Sequence, residues 1–211
     1  MIYYLIGKSC SGKDTIYKAL LEKYKGKLKS LALYTTRPIR SNEREGQEYH
    51  FVDERAYEDY KAQGRILEER SYNTVHGLWR YFTLWDEQLR GDEDILMIGV
   101  LSSFVAVRDA LGQDMVKPIY IELDDGIRLK RALEREMRQE EPKYRELCRR
   151  YLADDEDFSQ DKIKAAGIEK KFYNDDLEDC IAGIGEYIDG HKGTAAAAGA
   201  ADCSGDKCTA D

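Results

Sequence analysis

The segment Gly7-Lys-Ser-Cys-Ser-Gly12-Lys13 decides the fold expected for this chain of 211 residues. It follows the apolar run Ile2-Tyr-Tyr-Leu-Ile6, which is typical of a buried strand, and it precedes apolar residues at helical spacing. Glycines ahead of a helix let backbone N–H groups turn inward around an anion, and the lysine adds a positive charge. The segment therefore matches the pattern G-x-x-x-x-G-K of phosphate-binding loops, in the strand-loop-helix context that this pattern requires.

Asp14 follows the loop at the position where such loops usually carry Ser or Thr, whose hydroxyl binds Mg²⁺. A carboxylate oxygen is a hard ligand, so we expect Asp14 to hold the metal instead. Thr15 is adjacent, but it points about 100° away around the helix. The residues expected to bind the nucleotide phosphates and the metal are Gly7, Ser9, Cys10, Ser11, Gly12, Lys13, Asp14 and Thr15, with Lys13 as a catalytic residue.

Composition narrows the class of protein. Lys and Arg number 33 against 41 Asp and Glu, and the resulting net charge of −8 argues against a broad nucleic-acid surface. The longest apolar runs have the length of strands, so we expect a cytoplasmic protein with no membrane partner and no obligate protein partner. Five Cys and three His, with no C-x-x-C spacing, argue against a structural metal centre.

The rest of the chain alternates between strand and helix patterns. We expect strands at 28–34, 94–101, 119–123 and 170–173, and helices at 53–64, 102–111, 126–151 and 177–188. A capping box at Thr83 and Asp86 predicts a further short helix ending near Gly91, and Ser102 or Ser103 is expected to cap the helix after residue 101. This alternation predicts an α/β fold with a parallel sheet wrapped by helices, followed by a flexible tail from Gly193.

A second cluster of polar residues follows the second predicted strand. Thr35-Thr-Arg37-Pro-Ile-Arg40 precedes Tyr49-His-Phe, and guanidinium groups suit phosphate oxygens because they form bidentate bonds. With this spacing, the segment resembles the nucleoside-monophosphate-binding segment of guanylate kinases. The resemblance implies that Arg37, Arg40 and Tyr49 hold the phosphate of the acceptor. The alternative is a solvated loop whose arginines face Glu43, Glu45 and Glu48.

Other segments are similar to this family in the same order along the chain. The resemblance implies that Glu68 binds the guanine edge, that His76 binds the acceptor phosphate and that Asn174 lies on the ATP side of the cleft. It also implies that Arg138 and Arg149 belong to a lid and act on the transferring phosphoryl group. Ordinary structural roles remain open as alternatives. Glu68 would be a surface acid, His76 a ring packed in the core and Asn174 a helix cap. Arg138 and Arg149 would lie on a solvated charged helix.

The resemblance implies an architecture and an activity. We expect a three-layer P-loop NTPase core with a central parallel sheet in residues 1–190, a nucleoside-monophosphate-binding subdomain at about 35–82, a lid at about 126–160, and a tail at 191–211. The expected activity is the Mg²⁺-dependent transfer of the γ-phosphoryl group of ATP to a nucleoside monophosphate, with GMP as the first candidate.

Several positions depart from the family pattern. Leu33, Leu78, Met97 and Gly99 stand where guanylate kinases carry polar residues, so two acids near the guanine and the metal are missing. We expect Asp14 to replace part of the lost acid. The departures leave two alternatives open: a kinase for another phosphorylated molecule such as ribose 1,5-bisphosphate, and a binding module without catalysis. The intact Lys13 argues against the second.

Overall fold

The computed structural model describes residues 1–41, 43–47, 49–74, 77–90 and 93–199, with only the backbone described for 192–199. Strands and helices alternate along most of this part of the chain. The strands are β1 (Ile2–Gly7), β2 (Leu28–Ser30), β3 (Leu33–Thr35), β4 (Tyr49–Phe51), β5 (Ile66–Thr74), β6 (Gly77–Leu84), β7 (Asp94–Gly99), β8 (Val116–Glu122) and β9 (Lys171–Tyr173). The α-helices are α1 (Lys13–Lys23), α2 (Glu54–Ala62), α3 (Leu101–Leu111), α4 (Asp125–Met137), α5 (Tyr144–Asp157), α6 (Gln160–Ala165) and α7 (Leu177–Gly199).

Five parallel strands form the central sheet, in the order β2-β7-β1-β8-β9. Tyr3 and Leu5 of β1 pack on one face against α1 and α7, while Tyr4 and Ile6 pack on the other face against α3. Burial on both faces explains why β1 is apolar throughout. The predicted three-layer α/β fold with a central parallel sheet is thereby confirmed, and the loop at 7–13 leaves from the carboxyl edge of its middle strand.

A second sheet, in the order β4-β3-β6-β5, was absent from the sequence prediction. The single strand predicted at 28–34 is wrong, because β2 joins the central sheet and β3 joins the second one. The predicted helix at 83–91 is also wrong. Thr83 lies in β6, and Asp86 caps only one turn of 3₁₀ helix by accepting a hydrogen bond from the backbone N–H of Gln88.

Three further helix boundaries differ from the prediction. Ser102 and Ser103 lie inside α3, whose N-cap is Val100, and neither side chain caps the helix. The helix predicted at 126–151 is two helices, α4 and α5, separated near Pro142, since proline lacks the N–H that a continuous helix needs. The terminal helix continues to Gly199, into the segment predicted as a tail, and residues 200–211 lie outside the described residues. No helix in the described residues has the length and apolarity needed to cross a membrane.

Candidate functional site

The loop between β1 and α1 has the backbone of an anion nest. Cys10 has a φ of 61° and Gly12 a φ of 92°, both in the left-handed region, which turns successive N–H groups to one side. A Cβ at Gly12 would also collide with the Asn174 amide, so only glycine fits there. Ser11 is fully buried inside the loop, and its hydroxyl has no hydrogen-bond partner among the described residues. Lys13 follows as the first residue of α1, with Asp14 and Thr15 exposed in the first turn.

Asn174 fixes the loop from the neighbouring strand end. Its amide Nδ2 donates a hydrogen bond of 2.7 Å to the Ser11 carbonyl oxygen, and its backbone N–H donates to the Glu122 carbonyl oxygen at 2.9 Å. The residue is 3% exposed, so this contact is part of the packed core. The structure therefore brings Asn174 to the loop that the sequence analysis associated with it, through a bond to loop backbone.

The acidic run at the end of α5, to which the sequence analysis gave no function, holds the other side of the loop. The backbone N–H of Ser9 donates to Asp154 Oδ2 at 2.7 Å. Lys8 Nζ lies 2.7 Å from Asp155 and 3.2 Å from Asp125. These contacts tie the loop to α4 and α5, where the lid was predicted. An acidic cluster after an arginine-rich helix was the available signal, but sequence alone does not show what it faces.

Arg128 joins these groups. Its side chain is 1% exposed, and its guanidinium donates to Asp125 at 2.6 and 2.9 Å and to the Ser9 carbonyl oxygen at 3.1 Å. Asp154 and Asp155 lie 3.4 and 3.5 Å away. A buried arginine with this many acceptors positions the loop and is not available to bind a phosphoryl group.

The arginines nearest the loop differ from the two singled out by the sequence. Arg131 approaches Gly12, and Arg135 and Arg150 line a small cleft together with Ser9 and Cys10. Periodicity along α4, with Arg128, Arg131 and Arg135 at spacings of three and four, is the signal that points to this face.

Of the two predicted lid arginines, Arg138 lies exposed at the end of α4. Arg149 is also exposed, and it binds Glu146 through two hydrogen bonds of 2.7 and 2.8 Å. Hydrogen bonding to Glu146 raises the pKa of Arg149, and the Tyr72 hydroxyl of β5 adds a smaller effect in the same direction. A lid role for both arginines stays a prediction.

The acceptor loop places Arg37 differently from Arg40. The Arg37 side chain is 3% exposed and binds Glu43 with both terminal nitrogens, at 2.7 and 2.5 Å. Its guanidinium also stacks over the rings of Tyr49 and Phe51, at 5.0 and 5.3 Å. Arg40 is exposed, and its backbone N–H donates to Glu43. The Arg37 guanidinium is thus already paired, and its predicted contact with an acceptor phosphate requires that Glu43 release it.

The pair between Arg37 and Glu43 predicts a pH dependence of folding stability. Hydrogen bonding from Arg37 lowers the pKa of Glu43 from 4.5 to about 2. A carboxyl whose pKa falls on folding stabilises the folded state above its unfolded pKa and loses that contribution as pH falls to the folded value. In thermal melts between pH 6 and 2, the melting temperature should therefore fall more steeply below pH 4.5 in the parent than in Glu43→Gln. Parallel curves for the two proteins would contradict this.

Glu68 lies at the inner end of β5 and is buried. Thr83 donates a hydrogen bond of 3.0 Å to one of its oxygens, and Arg70 Nε lies 3.5 Å from the other. His76, the other residue predicted near the acceptor, lies outside the described residues. The predicted guanine-binding carboxylate therefore already has two polar neighbours.

The position of the missing strand acid is filled by another side chain. A Cβ at Gly99 would lie 2.6 Å from the Tyr4 hydroxyl, closer than such atoms approach. Tyr4 is fully buried in β1, and its hydroxyl has no hydrogen-bond partner among the described residues. The sequence showed the loss of the acid at 99, but it gave no sign that a tyrosine from the neighbouring strand takes its place.

One face of the β5–β6 hairpin lines a cleft. Register pairs Glu68 with Thr83, Arg70 with Tyr81 and Tyr72 with Trp79, which puts these side chains on one face. The cleft has a volume of about 280 Å³ and is lined by Tyr49, Arg70, Tyr72, Trp79 and Tyr81. Of these residues the sequence analysis selected only Tyr49. No sequence pattern marked Arg70, because β5 carries charged residues on both of its faces.

Comparisons with known proteins agree with this geometry. The family model described as guanylate kinase matches residues 2–78. A guanylate kinase from Nitrosomonas europaea is 32% identical over 98 residues, which is 46% of this chain and 47% of that protein. One from Aromatoleum aromaticum is 35% identical over 127 residues, or 57% of this chain and 60% of that protein. The predicted resemblance to guanylate kinases is thus found over part of the chain.

The fold extends the likeness beyond the matched sequence. The crystal structure of guanylate kinase from Anaplasma phagocytophilum superposes with a TM-score of 0.58 at 21% identity, covering 90% of this chain and 85% of that one. At this identity, the superposition establishes the fold alone. In sequence, the chain spans about half the length of the curated relatives it matches.

Proposed function

We propose that this chain, a divergent relative of the guanylate kinases, transfers the γ-phosphoryl group of Mg²⁺-ATP to a nucleoside monophosphate, with GMP as the first candidate. The observation that carries the proposal is the anion nest at Cys10 and Gly12 with Lys13 directly behind it. In this proposal, residues 35–82 bind the acceptor and residues 126–160 close as a lid. The cleft on the β5–β6 face lies on the acceptor side, as such a division requires.

Phosphoryl transfer needs positioning and positive charge more than acid–base groups. The N–H groups of the loop and the Lys13 ammonium would hold the β- and γ-phosphates, and Asn174 keeps the loop in shape through the Ser11 carbonyl oxygen. Arginines of α4 and α5 would stabilise the charge on the transferring group and exclude water.

The residues present fit a divalent cation at one side of this loop. Asp14 offers a hard, exposed carboxylate in the first turn of α1. When bound, Mg²⁺ supplies charge neutralisation at the β- and γ-phosphate oxygens. Because the Tyr4 hydroxyl occupies the space beside Gly99, a side chain at 99 would force Tyr4 to shift, which supports a metal-binding role for Asp14.

Asp14→Ser tests this role. If Asp14 replaces the missing strand acid, the serine variant should need several times more Mg²⁺ for half-maximal ADP release, because a neutral hydroxyl binds the cation less strongly than a carboxylate. Titration of activity with Mg²⁺ at fixed ATP measures the change, and Lys18→Ala, an exposed change on the same helix, is the control. Faster turnover of Asp14→Ser at every Mg²⁺ concentration would refute the idea.

The decisive experiment is a coupled ADP-release assay with GMP, dGMP, AMP, UMP and ribose 1,5-bisphosphate as acceptors. Fastest turnover with GMP supports the proposal. No ADP with any acceptor would instead support a binding module that has lost catalysis.

A second candidate has one specific observation in its favour. Glu68, the expected guanine reader, already accepts a hydrogen bond from Thr83 and lies 3.5 Å from the Arg70 cation. A cation at this place suits a second anionic group better than the donor edge of guanine. A kinase for a phosphorylated sugar such as ribose 1,5-bisphosphate would therefore show preference for that acceptor over GMP in the same assay.

A further inference from the structure

Arg70 lines the cleft on the β5–β6 face. It lies directly across from Tyr81 in the hairpin register, with Tyr72 two residues further along the same face. The opposite face of the hairpin carries Phe82, which packs on Tyr57 of α2. One face of the hairpin therefore packs in the small core of the second sheet, and the face that carries Arg70 is open to a ligand.

The positive charge of Arg70 is only partly satisfied. Within the described residues, its guanidinium makes one ion pair, the 3.5 Å approach of Nε to Glu68, and Nε has no hydrogen bond. Arg37, in contrast, uses both terminal nitrogens on Glu43. An arginine with free terminal nitrogens in a cleft binds phosphate or carboxylate more readily than one already in a bidentate pair.

The buried hydroxyl of Tyr4 is another polar group near Arg70 and Glu68. Tyr4 and Ser103 are 0% and 1% exposed, and their hydroxyls are close enough to interact with each other. Arg70 and Glu68 are close enough to Tyr4 to influence its charge. Burial raises the pKa of Tyr4, so its hydroxyl stays protonated and able to donate.

The wall of the cleft suits a flat or sugar-bearing molecule with an anionic group. Tyr49 and Tyr81 meet edge to face at 5.5 Å, and Tyr72 and Tyr81 do so at 5.7 Å. Burial would lower the pKa of Arg70, but Glu68 and the hydroxyls of Tyr4 and Tyr72 outweigh it and raise the pKa. Arg70 therefore remains a cation among hydrogen-bonding groups.

We propose that Arg70 binds an anionic phosphate oxygen of the acceptor, a role the sequence motifs assign to Arg37 and Arg40. Glu68 holds the guanidinium from behind, and the tyrosines of the cleft surround the ligand. This inference rests on the proposed phosphoryl transfer for its biological meaning. The phosphate belongs either to a nucleoside monophosphate or to a phosphorylated sugar.

Tryptophan fluorescence tests the proposal without ATP. The chain has two Trp, and Trp85→Phe leaves Trp79, which lines the cleft, as the only reporter. In this background, each protein is titrated with four ligands: GMP, guanosine, ribose 1,5-bisphosphate and inorganic phosphate. The proteins are the parent, Arg70→Gln, Arg70→Lys and the control Arg90→Gln. Arg90 is exposed and pairs with Glu87. A thermal melt of each variant checks that it is folded. Arg70→Lys keeps a positive charge beside buried Glu68.

Arg70→Gln should raise the Kd of the phosphorylated ligands at least tenfold and leave guanosine unchanged, because a bond to a charged group is lost. The Kd of Arg70→Lys should lie between those of the parent and of Arg70→Gln, since an ammonium cannot form the bidentate bond. GMP binding as tight as in the parent, an equal loss for guanosine, or no response of Trp79 to any ligand in the parent would overturn the proposal.

Comparison of the titrated ligands distinguishes the two possible sources of the phosphate. It also distinguishes failure of the Arg70 proposal from failure of the kinase proposal. A larger loss for GMP than for the sugar bisphosphate assigns Arg70 to the nucleotide phosphate, and the reverse assigns it to the sugar. Phosphate binding that depends on Arg70, in a protein that releases no ADP with any acceptor, would refute the kinase proposal and leave the anion site standing.

Discussion

Lys13→Ala is expected to lower ADP release by at least a thousandfold, which corresponds to about 4 kcal/mol of transition-state stabilisation. The ammonium follows the nest formed by Cys10 and Gly12, where the charge of the β- and γ-phosphates would be greatest. In a dry site, one fixed charge of this kind contributes more than it would in water. Initial rates at saturating ATP and acceptor measure the effect.

The same substitution should leave the fold intact. Lys13 makes no ion pair within the described part of the chain, and α1 is anchored by Ile16 and Leu20, which are fully buried. Thermal melts of Lys13→Ala and of the exposed control Lys18→Ala should therefore match the parent. Turnover of Lys13→Ala within a few fold of the parent would refute the assignment of the loop.

Arg128→Met should lower the free energy of unfolding by about 2 kcal/mol, because it removes the hydrogen bonds of a buried guanidinium to partly exposed carboxylates while filling a similar volume. Asp125 would lose two hydrogen bonds and the Ser9 carbonyl oxygen would lose its donor. The Tyr151 ring, 4.8 Å from the guanidinium, would lose a cation–π contact as well. Urea denaturation followed by circular dichroism measures the change.

A surface arginine provides the matched comparison. Arg90→Met removes an exposed pair with Glu87 and should change stability by less than about 0.5 kcal/mol. Arg128→Lys should recover only part of the loss, since one ammonium cannot reach Asp125 and Ser9 together. A midpoint for Arg128→Met equal to that of Arg90→Met would contradict a structural role for Arg128.

The parts of the fold that follow from local sequence were predictable. The loop at 7–13 needs only its own glycines and lysine. The buried strand β1 is apolar throughout, and β7 and β8 contain the apolar runs 95–98 and 119–121. Asp53 and Gly64 bound α2 as expected, with the Asp53 carboxylate accepting from the Ala56 N–H. In these cases the residues that determine the local structure lie within a few positions of one another in the sequence.

The second sheet was not predictable on the same grounds. Charged residues stand on both faces of β5, with Glu68 and Arg70 toward the cleft and Glu69 toward Tyr57 of α2, so no apolar alternation marks the strand. Buried Leu31 and Ala32 lie between β2 and β3, so the segment 28–34 reads as one strand and the point where the chain passes from one sheet to the other is hidden.

Within the site, sequence identified residues but not their partners. Arg37 is found by its motif, yet its pairing with Glu43 depends on a turn whose shape the residues do not specify. Asp154 and Asp155 reach the loop only because α5 folds back across it. Long-range contacts of this kind arise from tertiary packing, which periodicity does not encode.

The contact between Tyr4 and position 99 restricts the order in which mutations can accumulate. With the Tyr4 hydroxyl in place, any side chain at residue 99 meets an atom 2.6 Å from its Cβ. A side chain at 99 therefore requires that Tyr4 shift or be replaced by a smaller residue. Gly99→Asp should accordingly be tolerated better together with a smaller residue at position 4 than alone.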